Sequence, residues 1–470
     1  MTEFADTTRR WWTFALVCVA LFMTMLDNLV VITALPSIGR ALGAGLADLE
    51  WTVNAYTLAF AVLMMTGAAL GDRFGRRRVF LIGVAIFTAA SAGSALAGSA
   101  LQLALSRASQ GLGAALVTPL TLTMLSRVFP PERRAVVIGL WSGVSGLGLA
   151  IGPLVGGLVV EGLHWNAIFW INVPVGIALL ALGAWRLDES YGDRLPLDLP
   201  GLGFAGFGLL GIVYGLIRGN ALGWSSAQIV ASLAGGAVLL ALFVRRELRT
   251  SAPMLDLSLF RVRDFSASIA VSFLMSAGMF GSIFLITLFI QNVRGASPLT
   301  AGLETMPWTG TIMLVAPIAG QLASRFGSRP LILAGLALQA AALLWFGTAA
   351  DPSTPYLNLL PAFIGGGLGM GLTFAPMTAL VMGSVSLARH GQASGASNAL
   401  RELGGVFGIA ILGAVFQHLL TSPGQVLAAL HTSLTAGAAI ILAAMVAAVL
   451  IHQGGGSAAA ALPAEAALAA

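Results

Sequence analysis

Gly67-Ala-Ala-Leu-Gly-Asp-Arg-Phe-Gly-Arg-Arg-Arg78 places five charges among twelve residues, between two apolar runs each long enough to cross a bilayer. A fainter copy, Ala-Ser-Arg-Phe-Gly-Ser-Arg-Pro, runs from Ala323 to Pro330, 252 residues later. One such loop is a charged turn. Two of them, each set between apolar spans, indicate a duplicated membrane bundle.

Composition leads to the same class. Of 470 residues, 57% are hydrophobic and 9% charged, whereas a soluble domain carries about 25% charged residues. So few charges cannot cover a water-facing surface, and lipid must be the solvent. The net charge of +5 sits on arginines in short loops, which reads as topogenic charge rather than a nucleic-acid surface. The single Cys18 lies within the first apolar run and excludes a disulfide framework. No phosphate-binding loop, metal-ligand spacing or nucleophile–base pair is present, so neither an enzyme activity nor a cofactor or metal is expected.

At about 20 apolar residues per span, the chain reads as fourteen helices, Trp12–Leu35, Trp51–Gly71, Val79–Gly98, Leu101–Leu125, Ala135–Val160, Trp165–Leu187, Leu202–Ile217, Ile229–Val244, Phe265–Gln291, Ala301–Ala323, Leu331–Ala349, Leu357–Val385, Ser397–Leu420 and Ser433–Ile451. The seventh is short and Gly-rich. Arginines crowd the loops on one side, including Arg9, Arg10, Arg73, Arg76 to Arg78, Arg127, Arg133, Arg134, Arg186, Arg194, Arg245, Arg246, Arg249, Arg261, Arg263, Arg325, Arg329 and Arg389. The opposite loops hold Arg40, Arg218 and Arg294. By the positive-inside rule the Arg-rich side is cytoplasmic and both termini lie there, as an even number of spans requires.

The two charged loops follow the second and tenth spans. A six-plus-six duplication would place the second copy after the eighth span, so two helices are inserted between the halves. The expected organisation is a cytoplasmic N-terminus (1–11), a six-helix bundle (12–187), a linker with two inserted helices (188–264), a second six-helix bundle (265–451) and a disordered cytoplasmic tail (452–470). Substrate is expected near the midplane between the halves.

Two charged residues inside spans attract function. Asp27 lies about 16 residues into a helix entering from the cytoplasm, roughly 24 Å deep, where a carboxylate costs about 2.5–3.5 kcal/mol. Arg107, about seven residues into a helix entering from the other side, reaches the same depth, with Gln110 one turn on. Asp27 is a candidate proton site or counter-ion, and a structural ion pair with Arg107 is the competing reading. Glu402 lies about 15 Å deep, and its sequence neighbour Arg401 points about 100° away. Binding of substrate or proton and a structural pair are both open for it. Glu304 is close to an outer loop and reads as a solvated entrance charge. Met306, Trp308, Met313, Phe374, Met377 and Met382 are candidates for an adaptable apolar cavity, with packing or lipid contact as alternatives.

Four motifs in order carry a family resemblance. They are Leu26-Asp-Asn-Leu-Val-Val-Ile-Thr-Ala-Leu-Pro36, the loop Gly67–Arg78, Arg107-Ala-Ser-Gln-Gly-Leu-Gly113 and Gly148-Leu-Ala-Ile-Gly-Pro-Leu-Val-Gly-Gly157. With these the chain resembles the major facilitator superfamily, in its fourteen-helix drug:proton antiporter branch, over nearly its whole length. The resemblance implies an all-α transporter of 6 + 2 + 6 helices, a monomer in the cell membrane. It implies export of drugs or other small amphipathic compounds, cations included, in exchange for protons. Asp27, Arg107, Gln110 and Glu402 would then serve proton coupling and substrate, with Glu304, Met306, Trp308, Phe374 and Met377 on the substrate path. Gly67, Gly71, Asp72, Arg73, Gly75, Arg77 and Arg325 would form a gating latch, weaker in its second copy, with Asp72 near a helix N-terminus and an arginine in an ion pair. Gly148, Gly152 and Gly156 share one helix face. With Pro153 and Gly157 they resemble the motif typical of exporters. A narrow exporter of one antibiotic or metabolite, an uptake symporter and a non-transporting receptor are the alternatives.

Overall fold

The computed structural model describes residues 2–192, 196–250, 253–386, 389–420 and 422–452. Arg194 and the tail from Gln453 lie outside them. The described residues are helical throughout, without strands. We number fourteen long segments α1 Thr2–Leu42, α2 Leu46–Phe74, α3 Arg76–Ala95, α4 Ala100–Val128, α5 Pro131–Gly162, α6 Ala167–Arg186, α7 Leu199–Leu222, α8 Ala227–Glu247, α9 Arg263–Val293, α10 Pro298–Phe326, α11 Ser328–Ala349, α12 Tyr356–Gly383, α13 His390–Leu419 and α14 Val426–Val449. Thirteen are long and apolar enough to cross a membrane. The other, α10, carries Glu304, Pro307, Pro317 and Arg325 and is less apolar.

Local chemistry sets the ends. Ser99, Asp198, Ser226 and Ser297 accept the first free backbone N–H groups of α4, α7, α8 and α10. The seventh span is longer than its hydropathy suggested, 24 residues instead of a short run, starting at the Asp198 cap and continuing through the polar Arg218 and Asn220. The first helix runs through Pro36, whereas the apolar run ends at Leu35. α6 is interrupted at Ile171.

The repeat visible in the sequence recurs in the packing. α2 packs on α4 as α10 packs on α12, α1 on α5 as α9 on α13, and α3 on α4 as α11 on α12. An offset of eight helices relates each pair. Both charged loops turn in the same way. Gly75 and Gly327 have φ of +106° and +83°, and each N–H bonds the carbonyl four residues earlier, at Gly71 and Ala323. Only glycine takes these angles without strain. The inserted pair packs on itself, with α7 also lying against α2 and α13.

The halves meet along α2 and α13, where Met65 lies against Gly395 and Leu58 and Ala61 cluster with Leu403 and Val406, and between α1, α5, α9 and α10 on the face opposite the termini, here the far side. Gln291 of α9 donates to the Thr33 carbonyl at 2.8 Å, and Ser297 donates to Glu161 at 2.5 Å. On α5 one face follows Gly157, Pro153 and Ala150 toward the termini side. Added methyl groups at Gly157 and Gly302 would overlap α10 and α5 respectively, and Thr309 donates to the Ala150 carbonyl at 2.9 Å. The same face continues through Gly146, Gly143 and Gly139, where a Cβ would meet no described atom of another element within 4 Å. The two helices therefore touch in their far-side halves and part toward the termini. The molecule is closed on the far side and opens between α5 and α10 on the termini side.

Replacing Gly75 by Ala strains φ and drives a methyl to 2.6 Å from the Glu189 carboxyl, whereas at Gly327 the nearest atom is 4.0 Å away. Gly75→Ala should lose about 1–3 kcal/mol and Gly327→Ala distinctly less. Unfolding of the two purified variants in detergent checks this, and equal losses would contradict it.

Candidate functional site

The deepest polar cluster forms inside the first six helices. Asp27 on α1 and Arg107 on α4 are buried, with side chains 1% and 0% exposed, and Arg107 Nη1 pairs with Asp27 Oδ2. The matched depths read from the sequence therefore meet in space. Each partner is held by further groups. Arg107 Nε donates to the Thr52 carbonyl at 3.2 Å and Nη1 to Gln110 Oε1 at 3.0 Å. Its guanidinium lies 4.3 Å from the Tyr56 ring centre and 5.8 Å from that of Phe169. Asp27 Oδ1 accepts from Asn172 Nδ2 at 2.9 Å and from Gln110 Nε2 at 3.2 Å. Ser91 and Ser94 complete the Gln110 amide, at 2.7 and 3.1 Å. Arg107 Nη2 alone in this cluster has no hydrogen-bond partner.

Desolvation makes such a pair costly to build and costlier to break. Removing one partner leaves an uncompensated charge and typically costs about 3–5 kcal/mol. The aromatic rings shield the pair and offer the guanidinium their faces. Asn172, Ser91, Ser94 and Tyr56 escaped the sequence reading. Their only signal was a polar group within an apolar run, which needs a buried partner in lipid.

The other candidates separate into three groups. Glu402 pairs with Arg401 at 2.9 Å, the structural alternative left open for it. Arg401 also lies 4.9 Å from the Phe374 ring centre and lines a cavity among α9, α12 and α13 with Phe374, Met377, Met382 and Asn398. Glu304 is not a solvated entrance charge. It is 12% exposed and pairs with Arg294 at 2.7 Å, because the far-side ends of α9 and α10 close over it. Trp308 does not line the cavity either; it is buried against Gly366 and Gly367 of α12. Met306 and Met313 are exposed.

The latch differs from expectation in one respect. Asp72 pairs with Arg76 at 2.7 Å, one turn on, but it is Glu189 that sits at the N-terminus of α3. Glu189 accepts from the backbone N–H groups of Arg77 and Arg78 at 3.0 and 3.2 Å. Its carboxylate faces the positive end of the helix, which Asp72, in the last turn of α2, cannot do. Arg77 bonds the Ala184 carbonyl, while Arg73 lies over its neighbour Phe74. Gly67 and Gly71 let α2 approach Ala115 and Leu120 of α4. These contacts stay within the first half. In the second copy Ser324 bonds the Gln321 carbonyl, and neither Arg325 nor Arg329 has an ion pair among the described residues. Gly148, Gly152 and Gly156 do share a face, which packs on Met25, Leu29 and Val30 of α1 and so holds Asp27's helix.

The model of the Major Facilitator Superfamily matches residues 17–409. The chain belongs to that superfamily. It is 37% identical over 410 residues to the tetracenomycin C resistance and export protein of Streptomyces glaucescens, covering 87% of this chain and 76% of that one. It is 35% identical over 434 residues to the multidrug efflux pump LfrA of Mycolicibacterium smegmatis, covering 92% and 86%. Among solved structures, a D-xylose-proton symporter superposes with a TM-score of 0.66 at 16% identity, covering 94% and 98% of the two chains. That likeness concerns the fold. Major facilitators are multi-pass membrane transporters, in accord with the apolar helices here.

If the Asp27–Arg107 pair is a true buried pair, Arg107→Met destabilises the protein by about 3–5 kcal/mol, and adding Asp27→Asn recovers part of that loss. Unfolding measurements on both single variants and the double variant test the coupling. Strict additivity would contradict it.

Proposed function

We propose that this protein is a proton-coupled exporter of small amphipathic compounds in the cell membrane, with its termini and its open face on the cytoplasmic side. The observation that carries the proposal is the Asp27–Arg107 pair, a sealed carboxylate with one cationic partner inside the first bundle; the second bundle carries a separate small cavity among α9, α12 and α13. Two relatives, a tetracenomycin C resistance and export protein and a multidrug efflux pump, support export.

The cycle follows from charge and burial. In the conformation described, Arg107 is paired with Asp27. A compound enters from the cytoplasm or inner leaflet and settles against Phe374, Met377 and Arg401. Rearrangement to a far-side-open state parts Arg107 from Asp27, and a lone carboxylate in lipid takes a proton. Return to the cytoplasmic side restores the pair and expels that proton inward. One charge moving through about 100 mV yields about 2.3 kcal/mol, enough for a roughly fifty-fold gradient of a neutral solute at about 1.4 kcal/mol per tenfold. Exchange of one proton for one monocation moves no net charge and draws on the pH gradient alone.

In the cavity Arg401 is already paired with Glu402, while aromatic, thioether and amide groups remain available. This lining suits planar aromatic compounds, neutral ones as well as cations. No cofactor takes part; the Asp72–Arg76 and Glu189 contacts brace the first bundle as it moves.

Efflux of cationic, neutral and anionic aromatic dyes from energised cells tests the proposal. A protonophore should stop it, and Asp27→Asn should stop it while the protein still reaches the membrane. Efflux at the wild-type rate in Asp27→Asn would remove Asp27 from the mechanism. Extrusion of one dye alone would replace the broad exporter by a narrow one.

A further inference from the structure

Glu50 lies four residues into α2, at its far-side end, and is 0% exposed. It faces the second half of the molecule. Gln417 of α13 donates to Glu50 Oε1 at 3.0 Å, and a methyl at Gly413 of α13 would overlap that same oxygen. Glu50 Oε2 has no partner, nor does the side-chain amide of Asn54 one turn on.

Among the described residues no cation forms an ion pair with this carboxyl, and Arg218, which acts on it at a distance, is engaged elsewhere. Arg218 of α7 is paired with Asp48 at 2.8 Å. Arg107 of α4 is committed to Asp27, and Arg401 of α13 to Glu402. Arg40 of α1 bonds Ser37 at 3.2 Å, and His418 of α13 is exposed. One amide donor does not offset the burial of an ionised carboxylate, which neutralises instead. A neutral acid fits the site with far less penalty.

We infer that Glu50 is a proton-binding site of the far-side seal, neutral while α2 and α13 are closed on it, and that its ionisation favours opening of the seal. The inference rests on the alternating-access reading above but does not involve Asp27. When the far side opens, Glu50 meets water and loses its proton to that side. Closure requires the proton back from the same side. The exchange therefore carries no net proton across the membrane and adds nothing to the stoichiometry. It makes the return of the empty transporter faster when the far-side medium is acidic. The sign follows from proton counting. At Glu50 the closed state holds one proton more than the open state, so this site makes the closed-to-open ratio rise as pH falls, by up to about tenfold per pH unit. Asp27, protonated in the open state, pulls the other way, and Asp27→Asn removes that opposing contribution.

The test is a distance measurement on the full chain in nanodiscs. With Cys18→Ala as background, nitroxide labels are placed at Ala41 and Ser422, both exposed at the far side. Pulsed electron paramagnetic resonance then follows their separation from acid to alkaline pH. In the Asp27→Asn background the distance should pass from short in acid to longer in alkali with that slope. Adding Glu50→Gln should keep it short at every pH, and adding Glu50→Asp should displace the midpoint. A transition in Asp27→Asn/Glu50→Gln matching that of Asp27→Asn alone, an unmoved midpoint with Glu50→Asp, or no transition in Asp27→Asn overturns the inference, while leaving the role of Asp27 in export intact.

Discussion

Burial of a carboxylate beside a guanidinium governs the arrangement of the first bundle. Asp27 and Arg107 come from helices of opposite direction, and the polar groups around them are spread over four helices. Thr52 is on α2, Ser91 and Ser94 on α3, Gln110 on α4 and Asn172 on α6. Five helices are thus held in register by one cluster. The glycine face of α5 then fixes α1 from outside, through close approach at Gly148, Gly152 and Gly156. In lipid, where apolar burial gives helices little reason to associate, such packing and hydrogen bonding take over.

The same constraint explains why the halves can move against each other. Their far-side contacts include polar ones, as at Gln291–Thr33 and Glu161–Ser297. Polar contacts of this kind exchange with water at low net cost. The α5–α10 seam, tight at Gly157 and Gly302 and open at Gly139 to Gly146, has the geometry of a rocking joint. Rigid bundles carry the charges, and the seam between them decides which side they face.

Much of this was legible in the sequence, and the reasons are physical. The charged loops and their spacing are covalent facts, and both turn at a glycine that only glycine tolerates. The depths of Asp27 and Arg107 follow from helical rise, so their meeting was computable before any packing was known. Partners across helices were not. Asn172 and Ser91 lie in apolar runs, and nothing local says which neighbour they face. Glu50 sits beside Trp51 at a span end, where hydropathy assigns a charge to the loop; only tertiary packing brings Gln417 over it. Glu189 follows α6 by a few residues yet caps α3, 112 residues away from Arg77. The solvated reading of Glu304 failed for the same reason, since Arg294 is ten residues away and joined to it by a loop fold.

Coupling through Asp27 is the central claim, and reversing the flux tests it most directly. Proteoliposomes loaded with an exported dye, without a pH gradient, let the dye run downhill through the protein. Wild type should drive protons the opposite way, seen as a pH change that follows dye exit. Asp27→Asn should pass dye with no such change. Proton movement in Asp27→Asn equal to wild type would contradict the account.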